Sequence, residues 1–303
     1  MSAKLRCGFV TLMGRPNVGK STLINTLLKE KISIVSSVPQ TTRFRIRGVL
    51  TTDSFQIVFV DTPGLHLFKD NLASYLNNIA KKGIEDTDVI LYLVDVTRSI
   101  GKEELEIMKF LLNCSYSPII MGLNKIDLGC DFLNQYIKIW EELVEENKKV
   151  NPIKFYIPIS AKTGKNLDRL INTLVDFLPQ QEFLFYPQKE TTDFPLNFRI
   201  SEVIREKLLY SLKEEIPHQC AVVVDEVREK EKITYIHAYI YVNRVSQKKI
   251  IIGKDASFIK RIGIQARADL ESLLRKKVYL ELDVKVIKDW QKKIRILKEL
   301  GYE

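Results

Sequence analysis

Residues 14–21 read GRPNVGKS, and the architecture of the first half of the chain turns on them. The spacing Gly-x4-Gly-Lys-Ser follows an apolar run, GFVTLM, and precedes an amphipathic helical stretch, which is the context that a phosphate-binding loop requires. In such a loop, successive backbone N–H groups and a helix N-terminus hold phosphate oxygens. Gly14, Arg15, Pro16, Asn17, Val18 and Gly19, followed by Lys20, Ser21 and Thr22, are therefore the candidate phosphate site. Lys20 is spaced to reach the terminal phosphates, and the Ser21 hydroxyl to bind magnesium. An ordinary glycine turn would need neither the lysine nor the flanking elements.

Outward from this loop, short apolar runs alternate with amphipathic helical stretches as far as residue 178. The runs FQIVFVD, VILYLVD, PIIMGLN and KFYIPIS read as further buried strands. Near-continuous apolar strands with helical crossovers predict an α/β domain, a doubly wound and mostly parallel sheet covered on both faces. The stretch LPQQEFLFYPQKETTDF has two prolines and no clear periodicity, so the expected division is a first domain over 1–178, a linker over 179–196 and a second domain over 197–303.

Composition bounds the rest. A 303-residue chain with 45% hydrophobic and 28% charged residues is long enough for two cores and has the make-up of a water-soluble protein. Its four cysteines form no Cys-x-x-Cys pair and do not cluster with the three histidines, which points to a reduced, cytoplasmic setting without structural zinc. The early run CGFVTLM is too short for a signal-peptide core and leads into Gly-Arg-Pro-Asn instead of a cleavage site. No apolar stretch approaches the roughly 20 residues of a membrane span.

Three further motifs fall after predicted strands, where an open α/β sheet places its ligand. Asp61-Thr62-Pro63-Gly64 ends FQIVFV, so Asp61 suits a magnesium site and Gly64 can offer its N–H to a terminal phosphate. Asn124-Lys125-Ile126-Asp127 identifies the base: a carboxylate at Asp127 accepts two hydrogen bonds from guanine, whereas adenine offers neither and would leave a charge unpaired. Ser160-Ala161-Lys162 can then supply a backbone N–H to the guanine carbonyl.

With four motifs in this order, the sequence resembles the translation-factor-related small GTPases, and its second half resembles the Era family of bacterial GTPases. The resemblance covers nearly the whole chain. It implies that VPQTTRFRIRG is switch I and that Thr42, in preference to Thr41, closes on magnesium with Ser21 and Asp61; Lys20, Thr42, Asp61 and Gly64 would then carry hydrolysis. From the residues alone, the Thr-Thr pair is only a polar loop. Where Ras-like enzymes have a glutamine after this tetrapeptide, the chain has Leu65, which cannot orient water. The resemblance implies slow intrinsic turnover and a potassium ion near Asn17; a nucleotide-binding module without turnover is the remaining reading of Leu65.

After the linker the rhythm changes. Ile200, Val203, Ile204, Leu208 and Leu212 form a helical stripe, CAVVVDEV and ITYIHAYIYVN a strand pair, Ile259 to Leu273 a second stripe, and VYLELDVKV an alternating strand. IIGKDASFIKRIG places a small-residue loop between an apolar strand end and a lysine-rich helix start. The order resembles a type II KH domain, a smaller α+β fold that clamps single-stranded nucleic acid. Between Arg244 and Lys298 lie 16 basic and 6 acidic residues, a local excess larger than the total charge of +9. Gly253, Lys254, Lys260 and Arg261 are the candidate RNA contacts.

The KH loop usually reads Gly-x-x-Gly, but here it is Gly253-Lys254-Asp255-Ala256, with an alanine that resists positive φ and a carboxylate where phosphate would pass. The resemblance implies the 3′ end region of 16S rRNA as partner, a role in 30S subunit biogenesis, a monomer, and weak peripheral attachment to the inner membrane. For the last of these the sequence offers only its positive charge. The competing expectation is a GTPase of the same core whose second domain docks a protein.

Overall fold

The computed structural model describes residues 5–35, 46–61, 87–114, 117–212 and 216–301, which fall into two compact units that divide in sequence between Asp193 and Phe194, with Ile34 and Val35 grouped with the second. In the first unit the strands are β1 (Leu5–Met13), β2 (Ile46–Thr51), β3 (Phe55–Asp61), β4 (Val89–Asp95), β5 (Ile119–Asn124), β6 (Ile153–Pro158) and β7 (Gln180–Gln181). Its helices are α1 (Lys20–Leu28), α2 (Lys102–Cys114), α3 (Leu133–Glu146) and α4 (Leu167–Asp176). The sheet runs β2-β3-β1-β4-β5-β6, with β7 pairing antiparallel to the start of β1.

Strands β3, β1, β4, β5 and β6 are parallel. β1 and β3 are buried on both faces over most of their length, and every residue of β4 and β5 is buried, which is why they read as continuous apolar runs. β1 lies between β3 and β4, so the chain leaves it in opposite directions and opens a crevice at the carboxyl edge. One side of the sheet rests on a cluster that includes Met13, Tyr92, Leu111, Met121, Tyr136 and Trp140.

Two elements of the first unit were not legible in the sequence. β2 pairs antiparallel with β3, from Ile46 opposite Asp61 to Thr51 opposite Gln56. Its start lies inside the RFRIRG part of the segment read as switch I; a charged sequence at a sheet edge lacks the apolar run that marks buried strands. β7 is two residues long and lies in the stretch read as linker. That stretch is bound to the first unit along its length: Val49 donates to the Thr191 carbonyl (2.8 Å), and Arg47 pairs with Asp193 (2.7 Å).

The second unit runs α5 (Leu196–Ser211), β8 (Ala221–Glu229), β9 (Ile233–Val242), α6 (Val245–Ile252), α7 (Ser257–Leu274), β10 (Lys277–Val286) and α8 (Ile294–Glu299). Its sheet order is β10-β9-β8, with β9 antiparallel to β8 and parallel to β10. Ile204, Leu208, Ile236, Ala238, Ile240, Ile262, Ala266 and Leu270 are among the buried residues of a separate core. Here the sequence reading needs a correction: Ile251 and Ile252 end helix α6, not a strand, so the loop joins two helices. Three consecutive isoleucines have strand composition, but Gln247 Oε1 accepts from the N–H groups of Asn243 (2.9 Å) and Arg244 (3.0 Å) and fixes a helix start ahead of them.

Candidate nucleotide site and nucleic-acid groove

Sharp backbone bends shape the loop after β1. Gly14 has φ +144°, and a Cβ there would come within 2.3 Å of the Leu93 carbonyl oxygen; Gly19 has φ +106°, and its Cβ would meet Asn124 Nδ2 at 2.4 Å. Only glycine fits either place. Asn17, between them, holds φ 63°. Lys20 opens α1 almost fully buried and donates from Nζ to the carbonyls of Gly14 and Arg15, both at 2.9 Å. Burial pulls its ammonium down to about 8, against the opposing pull of Asp61 and Glu104.

At the next strand end, Ser21 Oγ donates to Asp61 Oδ2 at 2.9 Å, and Ser33 Oγ reaches the same oxygen at 3.0 Å. A hydroxyl and a carboxylate brought together beside the phosphate loop are hard oxygen donors of the kind magnesium takes. Thr42 and the run Thr62, Pro63, Gly64 and Leu65 lie outside the described residues.

Asn124 ends β5 and rivets three segments. Its Nδ2 donates to the Val18 carbonyl (2.7 Å), and its Oδ1 accepts from the Ala161 N–H (2.9 Å). Asp127 accepts from Ser160 Oγ (2.6 Å), and Thr26 Oγ1 donates to the Ala161 carbonyl (2.7 Å). The base-reading motif, the 160–162 loop and the phosphate loop thus form one hydrogen-bonded body. Ile126 follows from this, its N–H bonded to the Ile159 carbonyl (3.3 Å), while the Lys162 side chain is exposed.

Sequence reasoning missed Asp95. It ends β4 and binds Lys125 Nζ at 2.6 Å, which fixes the side chain of a residue with φ 70°. Burial disfavours the Asp95 charge, but Lys125 and Thr97 outweigh it and keep the carboxyl below its usual value. A strand-final aspartate in VILYLVD was the available signal. A second buried acid, Glu104, reaches the phosphate loop through Arg15 at 2.6 Å.

In the second unit, the loop between α6 and α7 has three consecutive features of strain. Gly253 has φ 75°, and a Cβ there would press on the Phe258 N–H at 2.9 Å. Asp255 and Ala256 both adopt left-handed backbone, at φ 52° and 57°. The alanine at the fourth loop position therefore takes the conformation that the usual glycine would supply. Lys254 is exposed beside the loop, and Arg261 lies over the Phe258 ring at 5.0 Å.

Beside this loop is a groove of about 370 Å³, lined by Ile259, Lys260, Gly263, Ile264 and Arg267 of α7 and by Tyr279, Leu280 and Leu282 of β10. Among the described residues β10 is an edge strand, so one row of its backbone N–H and carbonyl groups pairs with no other described strand. Of the four predicted RNA residues, Lys260 lines it and Gly253 and Lys254 belong to the adjoining loop. Ile264 and Tyr279, 62% and 56% exposed, and Arg267 were not singled out from the sequence. The apolar Ile264 on an otherwise polar helix face was the clue.

Comparison with known proteins agrees with both halves. The family described as 50S ribosome-binding GTPase matches residues 9–125, and the KH domain family matches residues 215–291. GTPase Era of Staphylococcus epidermidis is 43% identical over 299 residues, 98% of this chain and 97% of that protein. The chain belongs to the Era family of GTPases. GTPase Era of Caldanaerobacter subterraneus subsp. tengcongensis is 44% identical, with 98% of each covered. Two crystal structures of Era superpose with a TM-score of 0.90 at 37% identity, covering 98% of this chain and 99% of theirs. One is a variant of Aquifex aeolicus Era bound to GDP and aluminium fluoride. The other is Era in complex with MgGDPNP and nucleotides 1506–1542 of 16S ribosomal RNA.

Proposed function

We propose that this Era-family GTPase is a GTP-hydrolysing switch that binds the 3′ end region of 16S rRNA and acts in 30S subunit biogenesis. The observation that carries the RNA reading is the groove beside the 253–256 loop. Its floor of Ile259, Ile264, Leu280 and Leu282 can take bases, its edge strand can read them through the backbone, and Lys260 and Arg267 can take phosphates. Relatives bound to nucleotide, and one to 16S rRNA, support the same reading.

In the first unit, residues 14–22 bind the phosphates and Asn124, Lys125, Asp127 and Ala161 bind guanine. Ser21 and Asp61, with Thr42, hold magnesium, whose charge would stabilise the transferred phosphoryl oxygens. Lys20 neutralises the same oxygens, and Gly64 offers a backbone N–H. Since Leu65 cannot orient water, intrinsic turnover is slow, and potassium near Asn17 compensates. Hydrolysis in potassium chloride exceeds that in sodium chloride at equal ionic strength; equal rates remove potassium from the mechanism. The nucleotide domain up to residue 178, the segment 179–196 and the KH domain from 197 keep the proposed division, with residues 180–193 of the segment bound to the first unit. The protein works as a cytoplasmic monomer with weak peripheral contact at the inner membrane.

Filter binding to an RNA 3′ fragment tests the groove. Changing Lys254, Lys260 and Arg267 to Glu together lowers affinity at least 100-fold and flattens the salt dependence, each lost phosphate contact removing about 0.7 from the log–log slope. Unchanged affinity transfers the second domain to a protein partner.

A further inference from the structure

Glu104 sits in the first turn of α2 with no solvent exposure, in a neighbourhood otherwise made of Met13, Tyr92, Leu111, Tyr136 and Trp140. A carboxylate in such a place is costly unless its charge is matched and its lone pairs are filled. Two hydroxyls supply hydrogen bonds and one guanidinium supplies the counter-charge. Tyr92, on β4, donates its hydroxyl to Oε1; Tyr136, on α3, lies 3.4 Å from Oε2; and Arg15 Nε is 2.6 Å from Oε2. The Arg15 guanidinium also donates to the Tyr136 hydroxyl at 3.3 Å. Elements distant in sequence thus converge on a side chain of the phosphate loop.

The consequence is a division of labour within Arg15. Its guanidinium is turned into the core and only 17% exposed, so it is committed to Glu104 and not to a phosphate. Its carbonyl, on the other side, accepts from Lys20 Nζ at 2.9 Å. Fixing the side chain fixes the peptide units on either side of it, and these belong to the backbone that must face the phosphates. Apolar residues could fill the same volume at no loss of stability. An ion pair and two hydroxyls hold a backbone in one orientation more specifically than packing does.

We propose that Glu104 is a positioning residue for nucleotide binding, which acts through Arg15, with Tyr92 and Tyr136, to hold the phosphate loop in its binding conformation before nucleotide arrives. This rests on the reading of residues 14–21 as the phosphate site. Ordering that is complete in the free protein is not charged against affinity when the ligand binds.

The test separates positioning from stability in the full-length protein. The variants are Glu104→Gln, Tyr92→Phe and the double change Arg15→Met with Glu104→Leu, and the probe is fluorescent GDP with magnesium. Glu104→Gln leaves Arg15 without its counter-charge and weakens GDP binding about tenfold, while kcat at saturating GTP stays within about twofold, because the anchor acts on ordering and not on the reacting atoms. Tyr92→Phe weakens binding by a smaller factor, and serves alone if Glu104→Gln does not fold. The double apolar variant recovers the wild-type Tm but not the affinity. If Glu104→Gln or Tyr92→Phe lowers Tm while GDP binding is unchanged, or if the apolar pair restores affinity along with Tm, the network is core only and the proposal is overturned. Lys20→Ala is the control for the phosphate site itself: GDP binding that survives it removes the reading of residues 14–21, independently of Glu104.

Discussion

Several residues of the proposed nucleotide site are held by partners far away in sequence, and this decides which of them could be read beforehand. Lys20, Asn124 and Asp127 were legible because their motifs are local. Asp95 offered only its place at the end of an apolar strand, and nothing near Glu104 announces Arg15. Lys20 gives a pH prediction. Burial lowers its ammonium to about 8 in the free protein, so the folded state binds fewer protons than the unfolded chain above that pH, and free-protein stability rises with pH there. Bound phosphates favour the ammonium and reverse the shift. GDP binding at pH 8 therefore takes up about half a proton, and close to none at pH 6.5. Calorimetry in buffers of different ionisation enthalpy measures this directly; no uptake at pH 8 would mean that Lys20 stays charged without ligand.

Elements show where periodicity succeeds and where it fails. The strands buried on both faces were visible as continuous apolar runs, and the stripes of α5 and α7 because packing a helix on an apolar core repeats every three to four residues. β2 and α6 were hidden, the first by its charged edge sequence and the second by its strand-like isoleucines. The loop between α6 and α7 carries a local conflict that the sequence did expose: an alanine where glycine is usual. Ala256 resolves it by adopting φ 57°. Left-handed backbone costs a residue with a Cβ about 1–2 kcal/mol, part of which glycine returns through its freer unfolded chain. Ala256→Gly should stabilise the second unit by about 0.5–1 kcal/mol. Ala266→Gly, at a buried position inside α7, should destabilise it by at least about 1 kcal/mol. Urea unfolding followed on the isolated transition of that unit gives both signs, and a destabilised Ala256→Gly would show that the alanine Cβ is needed where it lies.

For the whole molecule the open question is where the first unit ends. Periodicity stops at Leu178, which is why the sequence places a linker there, yet aperiodic chain can still be bound chain. Gln56 is fully buried, and its side chain is satisfied mainly by the following segment: Oε1 accepts from the N–H groups of Phe185 (2.8 Å) and Tyr186 (3.0 Å), and Nε2 donates to the Tyr186 carbonyl (2.9 Å). Phe185 stacks on Phe9 at 5.3 Å, and Arg47 pairs with Asp193. A first unit cut after Leu178 leaves the Gln56 amide without these partners, at a cost of about 1–3 kcal/mol, and loses the ring contact and the strand bonds besides. At roughly 2–4 °C per kcal/mol for a domain of this size, its Tm should fall by at least about 5 °C relative to a cut after Asp193. Gln56→Leu in the longer fragment keeps the segment but breaks its three bonds to the amide, and should account for part of that difference. Equal Tm values for the two fragments would make residues 179–193 a passive connector, and the sequence-drawn boundary would then be the physical one.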